Sequence, residues 1–234
     1  MREPGKNVVT IENIELKPAD MFRLVPMVFL NDSTINYYLK VIQKYILSPA
    51  QTSECHFFNT YFFSKIRQEV ANICMQQDVM LLSKHRAQLQ TQMDPVNKKM
   101  RGWYKRIKLF QKKYLLLPVN KKDHWFAVVV ANLPSLLQHF TQDLDLSTLP
   151  AELRPAILLL DPLVNVEESL ELILRLFLET ELKETLGPTY ELKILQKEDP
   201  QDPDKSFLIT DKNLPAYQLI VESFDLDTKT EEYL

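Results

Sequence analysis

A chain of 234 residues with 45% hydrophobic and 25% charged side chains has the composition of an ordinary folded protein with enough apolar material for a sizeable core, and its net charge is only −3. Only 3 glycines are present, Gly5, Gly102 and Gly187, which excludes Walker loops, dinucleotide-binding glycine turns and kinase glycine loops, because all of these need backbone that approaches phosphate without a Cβ. The 2 cysteines, Cys55 and Cys74, form no Cys-x-x-Cys pair, so neither a disulfide scaffold nor a metal site is expected and a reducing compartment fits best.

In chain order, residues 1–30 read as a leading segment with a short strand around Val8, Val9 and Ile11 and a loop near Pro18 and Pro26. Asn31, Asp32 and Ser33 supply capping side chains for a helix whose apolar positions are Ile35, Tyr38, Leu39, Ile42 and Ile46, with Pro49 as the stop. A second helical pattern follows from the aromatic run His56 to Phe63 through Ile66, Val70 and Ile73. Residues 76–100 are polar and rich in Gln, and are expected to form an insertion or a surface helix.

Three apolar runs, 114–119, 126–130 and 156–160, have the look of strands buried on both faces at the centre of one sheet. A second insertion, 133–155, separates the last two. Val166 to Leu182 reads as a largely buried helix ended by Gly187-Pro188, followed by a strand at 190–195 and a last helix at 214–224 capped by Asn213.

Charge is unevenly spread: residues 98–123 carry ten Lys/Arg against one Asp, and residues 181–234 carry thirteen Asp/Glu against six Lys. These two segments are candidate docking surfaces for protein partners. Nucleic acid is not expected as a partner, because the basic run is interleaved with core-type residues and lacks a nucleic-acid motif. No secretory or transit signal and no apolar run of membrane length is evident, so an intracellular protein, nuclear or cytoplasmic, with no membrane partner is expected.

Five local signatures stand in one order: Phe29 to Leu39 (FLNDSTINYYL), His56 to Phe63 (HFFNTYFF), Trp103 to Ile107 (WYKRI), Pro118-Val119-Asn120 leading to His124-Trp125, and Leu158 to Leu163 (LLLDPL). Together they resemble the ubiquitin-like-protein proteases, the ULP/SENP family, whose members cut SUMO or related modifiers, and Phe29 with the insertions resembles the large-insert branch that edits SUMO chains. The resemblance implies an α+β papain-like cysteine-protease fold with a mixed central sheet flanked by helices, and a single domain over 1–234 with insertions at about 76–100 and 133–155. It implies a Cys-His-Asp site without a cofactor or metal, in which His124 is the general base and Asp161 orients its imidazole. Phe29, Asp32, Trp125 and Trp103 would be modifier-binding residues, with Phe29 and Trp125 as walls of a tunnel for the modifier's C-terminal Gly-Gly.

The family's nucleophilic cysteine sits near the C-terminal end of the domain at the start of a helix, and this sequence has no cysteine after Cys74. Matching through Val221-Glu222-Ser223-Phe224 puts Asn213 at the nucleophile's position and Leu214 at that of the glycine after it, whereas anchoring on Pro200-Gln201 puts Ser206 nearest. Gln196 and Gln201 are the candidates for the oxyanion-hole glutamine. Asn is no nucleophile here, and a base tuned to a thiol activates Ser poorly. Three readings follow: an inactive relative of a SUMO protease that binds modifiers or scaffolds partners, an active deconjugating peptidase with a displaced or substituted nucleophile, and a purely structural subunit of a large assembly.

Overall fold

A computed structural model describes residues 9–74, 86–121, 124–161 and 168–187, and the backbone of 209–210. The chain opens with an antiparallel hairpin, β1 (Val9–Ile11) and β2 (Ile14–Leu16), and a single turn, α1 (Pro18–Met21). Helix α2 (Asp32–Val41) follows and widens into a π-helical turn over Ile42–Ile46. Its cap is Asn31, whose side chain accepts from the Thr34 amide at 3.1 Å, so Asp32 is the first helical residue rather than the cap. Pro49 does not only stop this helix: with Ser48 as a capping box it starts α3 (Pro49–Glu54).

The aromatic run does not form one helix. Cys55–Phe57 is strand β3, and α4 (Thr60–Cys74) begins only after it. The break is local and polar: the Asn36 side chain accepts from the Thr60 amide at 2.9 Å and donates to the Thr60 hydroxyl at 2.9 Å, which ties the start of α4 to α2. Helix α5 (Arg86–Tyr104) covers much of the polar, Gln-rich stretch, and it has an apolar face that this composition conceals. Met93, Val96, Met100 and Tyr104 are buried along one face at helical spacing, with Pro95 accommodated inside the helix.

Strands β4 (Tyr114–Lys121), β5 (His124–Ala131) and β6 (Ala156–Leu160) are consecutive antiparallel neighbours. β3 adds in parallel to β4, and β7 (Ile209–Thr210) in parallel to β6, giving a mixed five-stranded sheet in the order β3-β4-β5-β6-β7. The three apolar runs are not equally buried on their two faces: Leu115, Leu117, Val119, Val128, Val130 and Ile157 are fully buried, whereas Leu116, Ala127 and Val129 are only half-covered. Between β5 and β6 the chain is more than a surface excursion, since α6 (Leu133–Thr141) buries Leu133, Leu136 and Phe140.

Helix α7 (Glu168–Leu186) is nearly all buried from Leu170 to Leu182, as its apolar spacing predicts. It ends on Gly187 in the left-handed region at φ 72°, where a Cβ is costly. The predicted strand at 190–195 and helix at 214–224 lie outside the described residues.

Helix α4 lies on β4, and α5 and α7 pack on α4 and on each other. Phe62, with no exposed surface, sits where they meet: its ring stacks on Phe58 at 3.6 Å and meets Phe177 and Tyr104 edge-on at 5.6 and 6.1 Å. Polar groups cross the same layer. Asn97 of α5 donates to the Phe177 carbonyl at 3.0 Å and to Glu181 of α7 at 2.9 Å, and Lys99 reaches Glu69 of α4 at 2.6 Å.

Two consequences can be measured. Phe62→Ala leaves a cavity between three helices and the sheet and is expected to cost about 3–5 kcal/mol in urea unfolding. On β3, burial holds the His56 imidazole down at about 4, with Lys112 and Lys40 adding to the effect. The unfolded chain therefore binds a proton that the folded one refuses. The stability this contributes is complete above the ordinary histidine value of about 6.5 and declines as the pH falls from there towards 4. His56→Phe should flatten that part of the stability curve, and the His56 ring resonance in the wild-type chain should titrate with a midpoint near 4.

Candidate active site

Antiparallel pairing of β4 with β5 sets the site. Lys121 faces His124 and Asn120 faces Trp125, so His124 is the first residue of β5 at the turn end of the hairpin. β6 runs antiparallel to β5 with Leu160 opposite Ala127, which brings the residue after it, Asp161, beside the start of β5. The two side chains meet: His124 Nε2 and Asp161 Oδ1 are 2.7 Å apart. The Asp161 side chain is 5% exposed and that of His124 26%, so the carboxylate is enclosed while the imidazole keeps an open edge.

A carboxylate can only accept, so Nε2 carries the proton in this bond and, in the neutral ring, Nδ1 is the basic nitrogen. The ring is fixed further by Phe126, stacked on it at 6.0 Å and 21°. A base of fixed tautomer, oriented by a buried carboxylate, is the base–orienter half of a nucleophilic catalytic site.

Trp125 points to the other side of the strand, as alternation requires. Its indole N–H donates to the Leu30 carbonyl at 2.9 Å and so clamps the segment before α2 against β5. That segment is held twice more, by Arg23 donating to the Phe29 carbonyl at 3.3 Å and by Asn31 donating to Asp20 at 2.7 Å. The result is an apolar segment held on β5 in which Phe29 is 68% exposed and Met27 wholly so, the latter in the left-handed region at φ 65°. For a side chain with a Cβ that conformation costs about 1–2 kcal/mol, which the surrounding clamps must offset.

Asp32, the first residue of α2, lies near Tyr61 at the start of α4: burial and then the Asp32 charge push the Tyr61 phenol up. Trp103 stands apart from these residues, on α5, edge-on to Phe62 at 6.2 Å. Asn213, Ser206, Gln196 and Gln201 lie outside the described residues. Cys55 stands away from the His124–Asp161 pair. It pairs with Tyr114 at the far end of β4, seven residues from Lys121, and at about 3.3 Å per residue that places it roughly 23 Å from the His124 end. Burial and the Glu54 charge also push its thiol up, away from the thiolate.

Sequence reasoning missed the Trp125–Leu30 clamp and its supports Asp20 and Arg23. Nothing in a single sequence pairs an indole with a carbonyl ninety-five residues earlier. Among the described residues there is no group of three or more His, Cys, Asp or Glu side chains arranged to hold a metal ion.

The geometry makes two predictions. In ¹⁵N spectra of the histidines, His124 should be the Nε2–H tautomer, and Asp161→Ala should mix the tautomers. Trp125→Phe keeps an aromatic ring but removes the donor, and should cost about 1 kcal/mol while speeding amide exchange in residues 27–31.

Residues 28–202 match the family described as "Ulp1 protease family, C-terminal catalytic domain". Ubiquitin-like-specific protease 2 of Schizosaccharomyces pombe is 27% identical over 183 residues, 70% of this chain and 25% of that protein. Ubiquitin-like-specific protease 1D of Arabidopsis thaliana is 31% identical over 112 residues, 47% of this chain and 16% of that one, and human Sentrin-specific protease 7 is 26% identical over 102 residues, 44% of this chain and 9% of that one. The chain thus spans a quarter or less of the length of these relatives. A solved structure described as a de-sumoylating protease superposes with a TM-score of 0.51 at 19% identity, covering 76% of this chain and 58% of the other, and so shares the fold. With that match running from the clamped segment before α2 through strands β3 to β6 and the His–Asp pair, the chain belongs to the Ulp1 protease family.

Proposed function

We propose that this chain is a non-catalytic relative of the SUMO and ubiquitin-like-protein proteases that binds a modifier rather than cutting it. One observation carries the reading: the sequence places its cysteines at 55 and 74, Cys55 lies at the wrong end of the sheet, and alignment through Val221-Glu222-Ser223-Phe224 sets Asn213 at the nucleophile's position. A carboxamide cannot attack a peptide bond with the help of a base that was tuned to a thiol. His124 and Asp161 then persist as supports of a site whose reaction is gone.

The binding face in this reading is the strip formed by Phe29 and Trp125, with Asp32 at its edge. An extended Gly-Gly tail presents backbone and no side chain, so it suits a narrow apolar passage between aromatic walls. Half of that passage is the segment that Trp125 clamps. The basic stretch 98–123 and the acidic stretch 181–234 are additional docking surfaces for protein partners. Cleavage through Ser206 or another displaced nucleophile is the competing reading, favoured by the retained His124–Asp161 bond.

A modifier carrying a fluorophore on its C-terminal glycine separates these readings. The wild-type chain should release no fluorophore, should be retained by the immobilised modifier, and should lose that retention at least about tenfold on Trp125→Ala. Fluorophore release that disappears in His124→Ala would overturn the proposal in favour of a peptidase. Absence of both release and retention would overturn it in favour of an architectural subunit.

A further inference from the structure

Residues 98–123 carry ten Lys/Arg against one Asp, and the structure sorts these cations into met and unmet charges. Those on α5 are met inside the helix layer: Lys99 lies 2.6 Å from Glu69, and Arg101 lies 2.9 Å from Glu184 and 3.6 Å from Glu181, with Lys98 acting on Glu184 from further away. At the start of β4, Lys112 donates to the Ser53 carbonyl and Lys113 sits over the Tyr114 ring at 5.4 Å. Lys105, Arg106 and Lys108, in the turn between α5 and β4, are exposed and face no carboxylate among the described residues.

The same turn forms one wall of a cleft of about 400 Å³ at the end of the sheet where β4 begins and β5 ends. Seven strand residues, roughly 23 Å, separate that end from the His–Asp pair, so the cleft is no part of that site. Ile107, Leu109, Phe110 and Leu137 make it apolar, and Lys108 lines it beside them. Its acidic and phenolic groups are already met: Glu181 takes the Asn97 amide at 2.9 Å and lies beside Arg101, and the Tyr104 hydroxyl is within reach of both Glu181 and Arg101. What the cleft leaves open is apolar wall and, beside it, positive charge.

That sign survives the neighbouring helix ends. The C-termini of α5 and α7 contribute roughly half a negative charge each, against the three full cations of the turn. Exposed cations alone hold a partner weakly, because solvent and salt screen them. An apolar side chain removed from water beside them supplies what they lack.

We propose that this turn and cleft together dock an acidic linear segment of a protein partner, with one large apolar side chain of the segment between Ile107, Leu109, Phe110 and Leu137 and its carboxylates over Lys105, Arg106 and Lys108. An anchor in an apolar pocket supplies affinity, and the charges around it supply steering and specificity. A nucleic acid would meet the same cations, but its bases need an open aromatic platform, and the two rings that line the cleft, Tyr104 and Phe110, are buried. Residues 98–123, read above as a docking surface for protein partners, narrow in this way to one turn and one cleft, and the proposal rests on that reading.

Fluorescence anisotropy of labelled peptides, titrated with the full chain at constant ionic strength, tests it. The first peptide is GSDEDLFEDEGS, the second has Ser-Ser in place of its Leu-Phe, and the third has Lys in place of every acid. The first should bind saturably and at least about fivefold more tightly than the second, and the third should not bind. Lys105→Glu combined with Arg106→Glu and Lys108→Glu, all at exposed positions, should weaken the first peptide at least about tenfold and make the third bind, an exchange that misfolding would not produce. Leu137→Trp fills the cleft and should bring the first peptide down to the level of the second. Absence of saturable binding, equal binding of the first two peptides, or binding of the first that survives the charge reversal overturns the proposal. A uridine oligonucleotide of the same length that binds more tightly than the first peptide overturns it too, and assigns the turn to nucleic acid. No peptide here is a modifier and no readout is cleavage or modifier retention, so this failure is distinct from that of the non-catalytic, modifier-binding reading.

Discussion

Antiparallel pairing of β4 with β5 over eight residues each is the constraint on which the molecule rests. Val128 and Val130 on one face of that ladder are fully buried, so the register cannot slip by one residue without turning them out and Trp125 in. Because the register is set, the hairpin's turn end is set, and with it the height of His124 above the sheet. Adding β6 antiparallel to β5 brings Asp161 to the same height. The His–Asp bond is thus a product of strand arithmetic rather than of any local loop.

Helices α4, α5 and α7 stabilise this arrangement by packing on β4 and on one another. Phe62, Phe177 and Tyr104 lock α4, α5 and α7 through edge-on ring contacts, and Asn97 threads a polar bond through the same layer to Glu181. A buried amide bonded to both a carbonyl and a carboxylate specifies one register between α5 and α7, where apolar side chains alone would tolerate several. The two ends of the sheet are left with different tasks. One end holds the hydrogen-bonded His124–Asp161 pair, and near the other the Glu181 carboxylate is tied into the helix layer by Asn97 and Arg101.

Much of the fold was legible from periodicity. The apolar runs at 114–119, 126–130 and 156–160 are strands, and the apolar spacing from Leu170 to Leu182 belongs to a buried helix. Failures came where local signals compete with tertiary ones. His56 and Phe57 continue a helical aromatic pattern, yet they pair with β4 because an edge position was open there and the Asn36–Thr60 bonds delay the helix. The stretch before Trp103 hides its stripe, since Met93, Val96 and Met100 are three apolar residues among glutamines, with Pro95 arguing against a helix. Tertiary burial overrode both propensities.

By itself the sequence determined the residue types that chemistry needs, the order of the five signatures, and the want of a cysteine after Cys74. These are properties of composition and order, which a chain carries whether folded or not. Only the tertiary structure decided that Cys55 lies at the far end of the sheet from His124, that Trp125 holds Leu30 while Trp103 packs on Phe62, and that Tyr104 and Glu181 meet in a cleft. The physical reason is distance along the chain. Contacts between residues eighty or ninety positions apart are set by strand register and helix packing, and no local pattern encodes where those place a side chain.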